Sequence, residues 1–129
     1  MIKDGIIVDT SVLIDFLKNT EPNATVVEEL IITKRLYITG IIMAELLQGI
    51  RNEKEESYIS MLIDGIDLIE MTNDLWLKAG KLSSSLRRKG INLPLTDVAI
   101  AAIAIEYNFA ILTLDRHFEN IPGISFYKH

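Results

Sequence analysis

There is no cysteine in the 129 residues. Disulfides, thiolate zinc sites and cysteine nucleophiles are thereby excluded, and the absence fits a reducing compartment, taken here to be the cytoplasm. Long hydrophobic runs are also missing. The longest, Val98 to Ile105, is far short of the roughly 20 residues that span a bilayer. Met1 to Gly5 lacks the basic-then-apolar layout of a signal peptide, so no membrane association is expected. Positive charge is the minority sign: 13 Lys and Arg stand against 18 Asp and Glu, a net charge of −5. That argues against broad, sequence-blind attraction to nucleic acid. It leaves room for a nucleic-acid enzyme whose acids are neutralised locally by metal. Repeats, low-complexity tracts and linkers are lacking too, and the apolar fraction of 49% is that of a folded protein. One domain over residues 1–129 follows.

What is present begins with Gly5-Ile6-Ile7-Val8-Asp9-Thr10-Ser11. A short β-branched run ended by an acid and two hydroxyls reads as a strand buried on both faces, as a parallel sheet requires. A helix is expected from Val12 to Lys18, capped by Thr10 or Ser11, with a turn at Asn19 to Asn23. Helical spacing returns from Ala24 to Lys34, and Leu36 to Thr39 reads as a second strand. Ile41 to Ile50 and Asn52 to Ile63 are helical in type, Ile66 to Glu70 is a third strand, and Asn73 to Lys89 is the longest helix. Thr96 is expected to cap a helix from Asp97 to about Tyr107, apolar on all sides and hence buried. Ala110 to Asp115 repeats the logic of the first strand, and Ser125-Phe126-Tyr127 is a candidate last edge strand. This alternation predicts a three-layer α/β/α domain with a mainly parallel central sheet.

Asp9 and Asp115 end buried strands, Asp97 opens a buried helix, and Glu45 is the sole charged residue between Arg35 and Arg51. Taken singly, each has a plain account as a cap or a favourable charge at a helix N-terminus. As a set they differ, because a parallel sheet delivers both strand ends to one edge. If the four converge there, each close pair repels by about 4 kcal/mol at 4 Å with an effective dielectric near 20. Such a cluster must protonate or bind a cation. Oxygen donors favour Mg²⁺ or Mn²⁺ over zinc. Phosphodiester hydrolysis suits that site and needs no protein nucleophile. Thr10, Ser11 and Thr113 flank the acids and are candidate supports for the carboxylates. Arg116 is a candidate substrate phosphate contact. His117 follows Asp115 closely enough to touch a substrate phosphate, but a surface or structural role accounts for it at least as well, so it is left outside the catalytic set; Asp15 reads as a solvated position.

These residues carry a resemblance. Val8-Asp9-Thr10-Ser11-Val12-Leu13-Ile14-Asp15, Glu45-Leu46-Leu47-Gln48-Gly49, Thr96-Asp97-Val98-Ala99-Ile100-Ala101-Ala102 and Leu112-Thr113-Leu114-Asp115-Arg116-His117-Phe118 occur in this order over nearly the whole chain. The chain resembles the PIN-domain nucleases, and within them the VapC-like toxins of toxin–antitoxin pairs. The resemblance implies that Asp9, Glu45, Asp97 and Asp115 are the metal-binding catalytic acids of a Mg²⁺- or Mn²⁺-dependent endoribonuclease. It further implies tRNA or ribosomal RNA as substrate, a homodimer, and a small cognate antitoxin that covers a groove near the acids. Met43, Leu47 and Ile50 are candidates for that contact, with core packing an equal account. A housekeeping RNA-processing nuclease and a non-catalytic RNA- or protein-binding module share the fold. A haloacid-dehalogenase-like phosphatase is disfavoured because Ser11 stands where it needs a second aspartate.

Overall fold

The computed structural model describes residues 4–128. Its centre is the first strand, β1 (Ile6–Val8), whose three residues are all buried. Parallel partners flank it: β2 (Leu36–Thr39) on one side and β4 (Ala110–Leu112) on the other, with β3 (Asp67–Ile69) beyond β2. Ile7 lies opposite Tyr37 and Ile111, and Val8 opposite Leu112. The sheet order is therefore β3-β2-β1-β4, parallel throughout.

Parallel neighbours need crossovers, and helices supply them. They are α1 (Thr10–Leu17), α2 (Asn23–Ile32), α3 (Gly40–Gln48), α4 (Glu53–Asp64), α5 (Asn73–Arg88) and α6 (Leu95–Tyr107). With helices over both faces, the three-layer α/β/α arrangement expected from the alternation is the one found. Helix α1 packs on α2 and α3, and α5 runs along α6. The buried run in α6 extends unbroken from Val98 to Ala104. Ala99 and Ala102 meet Ala79 of α5, and these small side chains let the two helices approach closely.

At the lower end of β1, Gly5 has a steric reason. A Cβ there would fall 2.5 Å from the Phe109 ring, which is itself packed between Tyr37 and Tyr107 at centroid distances of 5.0 and 5.6 Å.

Several local expectations are corrected. Neither Thr10 nor Ser11 caps α1: the cap position is Asp9, which makes no side-chain cap hydrogen bond, and both hydroxyl residues lie in the first turn. Thr96 does not cap α6, which starts at Leu95 with Pro94 in the cap position. Pro94 has no N–H to satisfy, so the helix can begin directly after it. Ser125-Phe126-Tyr127 forms a single parallel bridge to Ile111 rather than a strand, held by Ile111 N–H to Ser125 O and Tyr127 N–H to Ile111 O, both 2.9 Å. Asp15 is not simply solvated, because its Oδ2 accepts from Nδ2 of the buried Asn23 at 2.9 Å. No helix among the described residues is long and apolar enough to cross a membrane.

Candidate active site

Strands β1 and β4 run parallel side by side, so the residues that follow them emerge at the same edge of the sheet. Asp9 follows β1 directly, and its backbone N–H donates to Leu112 O at 2.9 Å. Its carboxylate is buried, 7% exposed, which demands hydrogen-bond donors. Two hydroxyls meet that demand at Oδ2: Thr113 Oγ1 donates at 2.8 Å and Ser11 Oγ at 3.1 Å. Each hydroxyl also accepts. Thr113 Oγ1 receives the Asp115 N–H at 2.9 Å, and Ser11 Oγ receives the Leu114 N–H at 3.1 Å. The loop after β4 is therefore tied to the start of α1 through Asp9.

Asp115 opens a one-turn 3₁₀ helix, Arg116–Asn120, by accepting the His117 N–H at Oδ1, 2.9 Å. This cap turns the His117 ring back over the acids. Its Nδ1 lies 3.0 Å from Asp97 Oδ2 and 3.3 Å from Asp115 Oδ1. Asp97 reaches the same place from the first turn of α6, with its side chain only 15% exposed. Among the described residues, ligand atoms of Asp97, Asp115 and His117 all lie within 4.8 Å of one another.

Electrostatics follows from this crowding. Burial pushes the Asp97 carboxyl above its ordinary value, the hydrogen bond from His117 works against that, and the charges of Asp115 and Asp9 add to it. The His117 imidazole is raised in turn, first by its hydrogen bond to Asp97 and then by the Asp115 charge. With only carboxylates facing Nδ1, that nitrogen is the donor.

Glu45 stands outside the three-residue group. It is exposed on α3 and is linked to the site by Thr10, whose Oγ1 donates to Glu45 Oε1 at 2.8 Å. Asp9 also stands outside the group, close enough for its charge to raise Asp97. Arg116 projects into solvent and is paired with Glu119 at 3.3 Å.

The residue weighed from sequence and left outside the catalytic set, but found among the acids, is His117. A signal was present in the Asp115-Arg116-His117 spacing: an aspartate that caps a tight turn folds the residue two positions on back toward its own carboxylate.

Beside Glu45 lies a groove of about 400 Å³ between α1, α3 and α4, with Ile14, Leu17, Leu46, Tyr58 and Ile59 in its lining. Met43 and Ile50, read from sequence as contact candidates, are instead partly buried and packed against the core. Leu47 is 38% exposed and is not part of the groove lining.

The donor set fits a hard or borderline divalent cation: two carboxylates and an imidazole whose ligand atoms lie within 4.8 Å of one another, and no thiolate.

The PIN-domain family model matches residues 6–124. Ribonuclease VapC of Rickettsia bellii is 32% identical over 135 aligned positions, which take in 93% of this chain and 92% of that one. Ribonuclease VapC1 of Methanocaldococcus jannaschii is 28% identical over 125 positions, with 95% and 86% covered. Among solved structures, DNA-bound VapBC from Salmonella typhimurium superposes with a TM-score of 0.82 at 22% identity, covering 96% of this chain and 97% of that one. At that identity the superposition speaks for the fold alone.

Proposed function

Because this chain belongs to the PIN-domain family, and within it to the VapC-like ribonucleases, we propose that it is the toxin of a toxin–antitoxin pair, a divalent-metal-dependent endoribonuclease that hydrolyses RNA phosphodiesters. The observation that carries this reading is the meeting of Asp97 and Asp115 beside Asp9 at the edge where β1 and β4 end. Three carboxylates brought together there, one of them nearly buried, are electrostatically costly without a cation.

In this reading Asp9, Asp97, Asp115 and Glu45 hold Mg²⁺ or Mn²⁺. When bound, the ion supplies Lewis-acid polarisation of a phosphodiester oxygen and a more acidic water. The chain's own part is positioning. Ser11 and Thr113 fix the Asp9 carboxylate through Oδ2, and Thr10 orients Glu45. Their loss loosens the acids without removing one. Arg116, exposed at the rim, is placed to meet a substrate phosphate. The low exposure of Asp97 keeps bulk water from solvating the charge that the site uses. A small cognate antitoxin is the occupant proposed for the groove between α1, α3 and α4, from which Glu45 leads to Thr10 and Asp9. A homodimer and a tRNA or ribosomal RNA substrate complete the proposal.

The test is cleavage of a labelled RNA pool by purified protein in Mg²⁺ or Mn²⁺. Cleavage is expected to vanish in EDTA and in Asp97→Asn, which leaves the fold intact. Equal cleavage by Asp97→Asn and wild type would remove Asp97 from the site.

A further inference from the structure

The sequence reading of the acids leaves His117 without a role, yet its ring lies among them. Nδ1 is 3.0 Å from Asp97 Oδ2 and 3.3 Å from Asp115 Oδ1. The backbone of the same residue is pinned by Asp115 Oδ1 at 2.9 Å, so the turn sets where the half-exposed ring starts from. Phe118, the next residue, is fully buried and anchors the 3₁₀ turn to the core.

The spacing is informative. Two ligands at about 2.1 Å from an octahedral ion lie about 3 Å apart along an edge of the octahedron. The two Nδ1-to-carboxylate separations are close to that edge, and all three ligand atoms fall within 4.8 Å of one another. A neutral imidazole nitrogen is among the commonest metal ligands in proteins, and the nitrogen that faces the metal is set by what surrounds the ring. Here Nδ1 is the nitrogen aimed at the acids, and on taking an ion it gives up to solvent the proton it holds toward them, leaving the neutral ring with its proton on Nε2.

We propose that His117 is a nitrogen ligand of the divalent-cation site, joining Asp97 and Asp115, and that it biases the site toward Mn²⁺ relative to Mg²⁺. This rests on the metal-site reading above. The chemical ground is that imidazole suits borderline first-row ions, whereas Mg²⁺ takes oxygen donors almost exclusively. An all-carboxylate site draws no such distinction from a nitrogen donor, so His117 is a determinant of which ion is held. A competing account makes His117 a placeholder, its proton standing in for the ion between two acids and leaving when the ion arrives. The two accounts differ in sign: removing a ligand weakens ion binding, whereas removing a competitor strengthens it.

The experiment measures binding and not turnover. Mn²⁺ is titrated into metal-free wild type, His117→Ala and Asp97→Asn, with pulsed electron paramagnetic resonance read for coupling to ¹⁴N, and Mg²⁺ affinity is measured by competition. Circular dichroism verifies the fold of each variant. Wild-type Mn²⁺ is expected to show imidazole nitrogen coupling that disappears in His117→Ala. Mn²⁺ affinity should fall by about tenfold or more in that variant while Mg²⁺ affinity changes by less than about threefold. Binding that is lost in Asp97→Asn but shows no nitrogen coupling in wild type would overturn the His117 role and leave the carboxylate site standing. Tighter binding of both ions by His117→Ala would also overturn it, in favour of the placeholder. No Mn²⁺ binding by wild type, or full binding by Asp97→Asn, would overturn the metal-site reading itself and this inference with it.

Discussion

Two aspartates in this molecule meet burial differently. Asp9 is satisfied by hydroxyl donors from Ser11 and Thr113, whereas Asp97 meets the ring of His117 and its carboxyl is raised by burial. Thr113 is the more exposed to test, because its hydroxyl donates to Asp9 and accepts from Asp115 N–H. Thr113→Val keeps the shape and removes both bonds. It is expected to lower stability by about 1–3 kcal/mol in urea denaturation, the cost of leaving a buried acceptor short of a donor, and to lower cleavage further by loosening two acids at once. An unchanged denaturation midpoint would mean that the network is not supporting Asp9.

The pH dependence of the metal-free protein belongs to the same scale. Asp97 is raised above its ordinary value, so its carboxyl favours the fold while protonated and ceases to as pH rises through the carboxylate range. His117 is raised as well. Its contribution is complete below the ordinary histidine value of 6.5 and fades as pH rises through the higher folded value. In EDTA the thermal midpoint should therefore drop as pH rises above about 6.5, beyond the range where other carboxylates titrate. His117→Ala should flatten that drop. A midpoint that climbs over this interval would contradict the assigned direction.

At the scale of elements, β1 and α6 were the most legible. Gly5 to Val8 is a β-branched run with a steric stop, and Val98 to Ile105 is apolar without a polar face, so each has one physical interpretation. The packing of α6 on α5 depends on Ala79, Ala99 and Ala102 being small. Ala99 is fully buried, and Ala99→Leu is expected to cost about 1–3 kcal/mol through overpacking, read as a lowered urea midpoint with the slope unchanged. A neutral result would place slack between these helices. What sequence could not give was set by contacts distant in the chain. Phe126 makes a single bridge, to Ile111, and no strand, an outcome decided by the fit of the chain end against β4 and not by its own residues. The caps at Thr10 and Thr96 failed because Asp9 and Pro94 reach the N-cap positions first. His117 was left outside the catalytic set for a related reason: its ring is placed by a 3₁₀ turn whose existence depends on the Asp115 cap.

For the whole molecule, the acidic edge and the groove, which is lined by both apolar and charged side chains, are neighbours joined through Glu45 and Thr10. An occupant of the groove is therefore in position to influence the acids without touching RNA. Tyr58 is 53% exposed on the groove and belongs to none of the hydrogen bonds that hold the acids. Tyr58→Glu should weaken capture of the cognate antitoxin by at least about tenfold while leaving RNA cleavage at the wild-type level. Loss of cleavage with retained antitoxin binding would reverse the assignment of the two surfaces.

The central proposal is a metal-dependent nuclease site at the carboxylate edge. Its most direct test is end-mapping of total cellular RNA incubated with purified, antitoxin-free protein in Mn²⁺ or Mg²⁺, beside EDTA and Asp97→Asn controls. Discrete new ends in the wild-type sample with metal, and in neither control, are expected, and they would name the substrate as well as the activity. A folded, metal-binding protein that leaves every RNA end unchanged would contradict it and turn the same edge into a binding surface.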